Sequence, residues 1–230
     1  MMEKDREMEV LKTIGDLSIP AGAIYLSQEL QIPQGSMGRI LSGLEPAGLI
    51  EKVSNKGRRL TAKGAQFLAD YQRRNSQLES ARNLILLTEE ISKDRLLEIL
   101  EVRKLLECSV IQDTCRNITE EQMKALDTLL LENIYVVKHG GTGNREDLHL
   151  HLAIAEYSGN QTIYQILNLV LTQNDAYVKF TKAAGPDENY QIKEHENIVA
   201  AILKRDQERA RSAMEKHLDK VMADVVRAYE

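Results

Sequence analysis

Leu44-Glu45-Pro46-Ala47-Gly48-Leu49-Ile50-Glu51, followed by Gly57-Arg58-Arg59-Leu60-Thr61-Ala62-Lys63-Gly64, is the stretch whose reading decides the N-terminal fold. Pro46 ends a helix, because its ring cannot continue one. Two short apolar-bearing runs then flank the tip Ser54-Asn55-Lys56-Gly57, which predicts a β-hairpin. Thr61 to Gly64 opens a further helix, continued by Phe67, Leu68 and Tyr71. Working back from Pro46, Met37, Ile40, Leu41 and Leu44 share one face of a helix over 33–45, entered at Pro33. Gln31-Ile32-Pro33 is a turn. Ala23 to Leu30 is a second helix with Ile24, Leu26 and Leu30 inward. Arg6 to Leu17 is a first, with Met8, Val10, Leu11 and Ile14 inward. Helix, helix-turn-helix, hairpin, helix is the order of a winged helix, assigned to residues 1–75.

Charge singles out the same region. The chain has 230 residues and a net charge of −5. Residues 1–75 hold 11 Lys and Arg against 9 Asp and Glu, and the remainder holds 19 against 26. Within 33–64 the balance is six basic to two acidic. A basic segment on an acidic chain is the footprint of a small DNA-binding module. The helix over 33–45 is then the recognition helix for the major groove of a double-stranded operator. Its polar, non-core positions are Gln34, Ser36 and Arg39, and Gln and Arg are the side chains that read adenine and guanine edges. Gly35, Gly38 and Gly43 lower the intrinsic stability of the same helix, as a close backbone approach would require. Lys56, Arg58 and Arg59 on the hairpin are placed to meet phosphates or the minor groove.

The rest of the chain reads as helix, so the fold class is mainly α. Residues 76–92 have no Pro or Gly and form a helical linker. Residues 93–230 give an antiparallel all-helical bundle. Its helices are expected over 94–116, from a Thr119-Glu120-Glu121-Gln122 capping box to Lys138, over 146–157, from Gln161 to about Ala184, over 190–204 and over 206–229. With no Trp and two Phe, Leu, Ile, Ala and Val must fill the core. No run approaches the roughly 18–20 apolar residues of a membrane span. The charged N-terminus lacks a signal region, so a cytoplasmic location and no membrane partner are expected. Cys108 and Cys115 lie two turns apart on one helix, too far for a disulfide, and read as core residues.

Five histidines occur, at 139, 149, 151, 195 and 217. Asp147 and His151 are four apart and stack on one helix face. His195 shares a face with Ile198, Val199 and Ile202, and His217 with Met214, Val221 and Val225. Imidazole and carboxylate together suit Zn, Ni, Mn or Fe(II), with Zn first. Spacing alone permits such a site without requiring it, since a single histidine on a helix face is more often an ordinary polar residue. His149 projects to another face, and His139 sits beside Gly140 in a loop.

Four pieces, in order, resemble the FCD sensor domain of the FadR subfamily of GntR regulators. They are Glu101-Val102-Arg103-Lys104-Leu105-Leu106-Glu107; Asp147-Leu148-His149-Leu150-His151 with Ser158-Gly159-Asn160; Glu194-His195 with Ile198, Ala201 and Ile202; and Met214 with His217-Leu218. The resemblance implies a divalent metal on Asp147, His151, His195 and His217. It also implies a small carboxylate effector at that metal, with Arg103 as its clamp and Asn160 a further contact, and a homodimer. Leu150 stands where the family usually has Phe. The hairpin lacks the family's usual "G-x-G-T-x-V" strand, so the DNA-binding half is atypical. The expected function is a non-enzymatic transcription regulator whose operator affinity follows the effector. A direct metal-responsive regulator is the alternative, and a metal-dependent hydrolase a more distant one.

Overall fold

The computed structural model describes residues 3–89, 92–172 and 188–229. The chain divides into two compact units, Met1–Arg82 and Asn83–Glu230.

The first unit holds α1 (Glu3–Asp16), α2 (Ala23–Glu29), α3 (Gln34–Leu44), β1 (Ile50–Val53), β2 (Gly57–Leu60) and the start of α4 (Ala62–Glu89). Apolar residues three and four apart on α1 and α3 turn inward: Met8, Val10, Leu11 and Ile14 meet Met37, Ile40, Leu41 and Leu44 around Leu26. Truncating Leu11 or Leu41 to Ala in such a core costs about 2–5 kcal/mol. The hairpin is antiparallel, with Ile50 opposite Leu60 and Glu51 opposite Arg59. Ala21 adds one further bridge to it, exchanging both backbone bonds with Arg58 at 2.8 Å.

The opening motif has local steric causes. Thr61 Oγ1 donates to the Gly48 carbonyl at 2.7 Å and accepts from the Gly64 N–H at 2.9 Å, so one hydroxyl closes the wing and caps α4. A Cβ on Gly64 would lie 1.9 Å from the Leu49 carbonyl oxygen, which excludes any other residue there. Ile24 departs from expectation. It is 63% exposed, because the seven-residue α2 packs through Leu26 and Ser27 and leaves Ile24 off that face. α4 runs unbroken from Ala62 to Glu89, joining the expected fourth helix to the stretch read as a linker. No Gly or Pro after Gly64 interrupts it.

The second unit contains α5 (Lys93–Asn117), α6 (Glu120–Lys138), α7 (Asn144–Tyr157), α8 (Gln161–Leu171), α9 (Glu188–Leu203) and α10 (Gln207–Ala228). The capping box forms at α6: Thr119 accepts from the Gln122 backbone N–H, and the Gln122 side chain accepts from that of Thr119. α5 packs against α7, α8, α9 and α10, while α6 packs against α7 and α9. The helix expected from Gln161 to Ala184 is shorter: α8 ends at Leu171 with Thr172 as its cap, and the part beyond Thr172, with its Gly185-Pro186 stop, lies outside the described residues. Two apolar clusters fill the unit, one around Ile111, Leu126, Ile154, Ile198, Ile202 and Met214, the other around Leu96, Leu100, Leu167 and Val225. Cys108 and Cys115 are free thiols, Cys115 fully buried. Among the described residues, no helix is long and apolar enough to cross a membrane.

Candidate functional site

Three helices of the second unit bring four ligand-type side chains together. On α7, Asp147 and His151 fall one turn apart, beside the buried Leu150 and Ile154. The start of α7 is set by Gly143, at φ +64, whose carbonyl accepts from Asp147 N–H at 2.9 Å. A Cβ there would lie 2.6 Å from Val137 Cγ2 and 3.0 Å from Asn133 Nδ2. On α9, His195 occupies the buried face that Ile192, Ile198, Val199 and Ile202 define. On α10, His217 lies between the buried Met214 and Leu218. The turn joining these two helices is fixed by Asp206, whose carboxylate caps α10 at the Arg209 N–H.

One ligand atom from each of Asp147, His151, His195 and His217 lies within 4.8 Å of all the others. His151 and His217 are stacked with ring centroids 5.1 Å apart, and His195 is 4.8 Å from His217. His151 Nε2 and His195 Nε2 are 3.4 and 2.8 Å from Asp147 Oδ1. They are buried nitrogens converging on a carboxylate oxygen, and that donor set fits a divalent metal.

The opposite nitrogen of each ring has another partner. His151 Nδ1 meets Glu107 Oε2, His195 Nδ1 meets Asn133 Oδ1 at 3.4 Å, and His217 Nδ1 meets Glu194 Oε2 at 3.1 Å. Acceptors on Nδ1 leave Nε2 as the outward lone pair, the arrangement usual behind metal-bound histidine. Glu107 in turn receives Arg103 Nε at 2.8 Å, and both side chains are at most 2% exposed. The two residues are one turn apart on α5 and lie deep in the bundle.

These charges hold one another ionised. Burial pushes the Glu107 carboxyl up, but Arg103 and His151 outweigh it and bring its pKa to about 2. Burial likewise opposes the Asp147 carboxylate, yet His195 and His151 hold it well below the usual range. Burial disfavours a proton on His151, but Glu107 and Asp147 raise it to about 9. His217 goes the other way, well below an ordinary imidazole, through burial and then the neighbouring His195 and His151.

Residues 98–220 match the model of the FCD domain. The chain belongs to the FCD domain family. The FCD region runs from α5 to α10 and includes all four converging side chains with Arg103, Glu107, Asn133 and Glu194. The chain is 26% identical over 211 residues to the HTH-type transcriptional regulator LutR of Bacillus subtilis, covering 89% of each. It is 28% identical over 129 residues to the HTH-type transcriptional repressor NanR of Cronobacter sakazakii, covering 54% of this chain and 48% of that protein. The structure of E. coli McbR/YncC superposes with a TM-score of 0.55 at 17% identity, over 99% of this chain and 96% of that one. The helix-turn-helix and hairpin of residues 3–60 thus stand ahead of an FCD domain in this chain.

The remaining sequence-derived positions fall as follows. Asn160 is the exposed cap of α8, its Oδ1 accepting from Ile163 N–H at 3.2 Å. His149 is exposed, and His139 closes α6 with Nδ1 2.7 Å from the Tyr135 carbonyl. In the winged helix, Gln34 and Arg39 stand exposed on α3, with Ser36 half-buried 3.4 Å from Arg39 Nη2. Lys56 is exposed at the wing tip. Arg58 pairs with Glu45 at the end of α3, and Arg59 with its cross-strand neighbour Glu51 at 2.6 Å. Glu107, Asn133 and Glu194 were missed by sequence reasoning. The signal for Glu107 was present, as the last residue of the Glu101-to-Glu107 motif.

Proposed function

We propose that this chain is a DNA-binding transcription regulator of the GntR family whose operator affinity is set by a small carboxylate effector at a divalent metal in the FCD domain. The observation that carries this reading is the convergence of Asp147, His151, His195 and His217, with each Nδ1 already engaged. Formal charge supports it. Arg103 at +1 with Glu107, Asp147 and Glu194 at −1 each sums to −2; a protonated His151 offsets one of these charges, and a dication that displaces its proton offsets both. Uncompensated charge at such depth is costly. The metal would polarise and anchor the effector's carboxylate, and Zn is the first candidate. On the DNA side, Gln34, Ser36 and Arg39 read bases from α3, while Lys56, Arg58 and Arg59 meet the backbone. The Glu45 and Glu51 pairs orient the two arginines, and the exposed Arg59–Glu51 pair is worth only about 0–1 kcal/mol to exchange for phosphate.

The test is to measure metal per chain by elemental mass spectrometry, then titrate metal-loaded protein with a panel of mono- and dicarboxylates by calorimetry. About one metal per chain and saturable binding of one class of carboxylate are expected, both lost in His195→Ala. Metal that binds and alters DNA affinity with no carboxylate required would instead make the ion itself the signal. A chain that binds neither refutes the reading.

A further inference from the structure

We infer that Glu107, locked in place by Arg103, is a positioning residue for the metal centre, fixing the tautomer and ring plane of His151. This rests on the metal reading above. Neither residue belongs to the converging set of four, and Arg103 was expected to grip a ligand. The two oxygens of Glu107 divide their work: Oε1 accepts from Arg103 Nε at 2.8 Å, and Oε2 accepts from His151 Nδ1–H. A carboxylate with both oxygens assigned cannot rotate, so the imidazole it holds cannot turn about its own axis. The Nδ1–H tautomer follows, and it presents the Nε2 lone pair toward Asp147.

The three outer contacts are not equal. The neutral amide of Asn133 stands 3.4 Å from His195, whereas His151 and His217 meet the carboxylates of Glu107 and Glu194, and the Glu107 carboxylate is itself held by Arg103. The link also recruits α5, which supplies none of the four converging side chains but packs on α7, α9 and α10. Any change in how His151 is held reaches α5 through two side chains. Arg103 then serves the metal through Glu107, as an orienting residue.

Zn(II) affinity, read by competition with a chromophoric chelator, and the visible spectrum of the Co(II)-loaded chain test this directly. Glu107→Gln keeps an acceptor oxygen but loses the charge and the Arg103 bond. It should weaken Zn(II) binding about 10- to 100-fold and shift the Co(II) bands. Arg103→Met should do the same to a smaller degree, and the double variant should be no weaker than Glu107→Gln alone. Penalties that simply add would overturn the idea that Arg103 acts through Glu107. Wild-type Zn(II) affinity in Glu107→Gln with an unchanged Co(II) spectrum overturns the whole inference while leaving the metal site standing. A wild-type chain that binds no Zn(II) removes both. A measurement free of folding effects uses the wild-type chain with 15N-labelled histidine. His151 should carry its proton on Nδ1 in the Zn(II) form, and an Nε2–H signal contradicts the assignment.

Discussion

Replacing Gly38 by alanine should make the winged helix more stable and a poorer binder of DNA. Gly38 sits inside α3, one turn after Gln34 and next to Arg39, on the exposed face. A Cβ built there meets nothing within 4 Å, so no internal contact requires glycine. Glycine in a helix interior costs about 0.5–1 kcal/mol relative to alanine. For a unit of roughly 60–100 residues, 1 kcal/mol moves Tm by about 4–8 °C, so Gly38→Ala should raise the transition of Met1–Arg82 by about 2–8 °C. If α3 lies in the major groove, the added methyl overpacks that contact by about 1–3 kcal/mol, roughly 5- to 150-fold in Kd. The assay pairs thermal unfolding by circular dichroism with fluorescence anisotropy on a duplex enriched from a random pool by the wild-type chain, at fixed salt. A gain in Tm with unchanged affinity would show that this face of α3 does not meet DNA. A fall in Tm would refute the steric argument itself.

Three further outcomes follow from the same geometry. Zn(II) at 100 times its Kd should stabilise the FCD domain by about 2.7 kcal/mol, which is about 5–11 °C for a unit of roughly 150 residues. In calorimetry of the full chain a chelator should reverse this shift and leave the winged-helix transition in place, and a chelator-insensitive thermogram contradicts the metal site. Metal loading should also release a proton. With His151 held protonated up to a pKa of about 9 and His217 already neutral, metal displaces one proton below that pH. Apparent affinity should then climb tenfold per pH unit from 7 and level off near 9, and calorimetry in buffers of different ionisation enthalpy should count about one proton; a flat profile contradicts it. Arg205→Ala should destabilise the FCD domain by about 1–3 kcal/mol, read as a lower urea midpoint. Its guanidinium donates to the carbonyls of Cys115, Arg116 and Ile118, which end α5. Arg205→Lys, which lacks the fork, should recover less than half; an undiminished midpoint in Arg205→Ala would show that the cap contributes nothing, and full recovery in Arg205→Lys that the fork is not needed.

The winged helix was legible because its motif residues answer to local causes. Pro46, Gly48 at φ +72, the Thr61 hydroxyl and the crowded Gly64 each act within about sixteen residues of their partners. Asp147 and His151 were legible as a pair from one helical turn. His195 and His217 joined them through the family resemblance, since nothing in spacing brings α7, α9 and α10 to one point. Glu107 lies 44 residues from His151, and Asn133 lies 62 from His195. A polar residue on a helix carries no sign of such a partner, so Arg103 read as a ligand clamp and Glu107 was passed over. Ile24 misled for the opposite reason. In a seven-residue helix the apolar period is too short to choose a face, and packing selected Leu26.

The central claim is that occupancy of the Asp147, His151, His195 and His217 cluster controls DNA affinity. The most direct measurement is anisotropy of the enriched duplex with metal-loaded chain, with and without the carboxylate that calorimetry selects, in the wild type and in His217→Ala. The account predicts a shift of at least tenfold in Kd in the wild type and none in the variant, with both folded by circular dichroism. An affinity in the wild type that responds to neither metal nor carboxylate would contradict it.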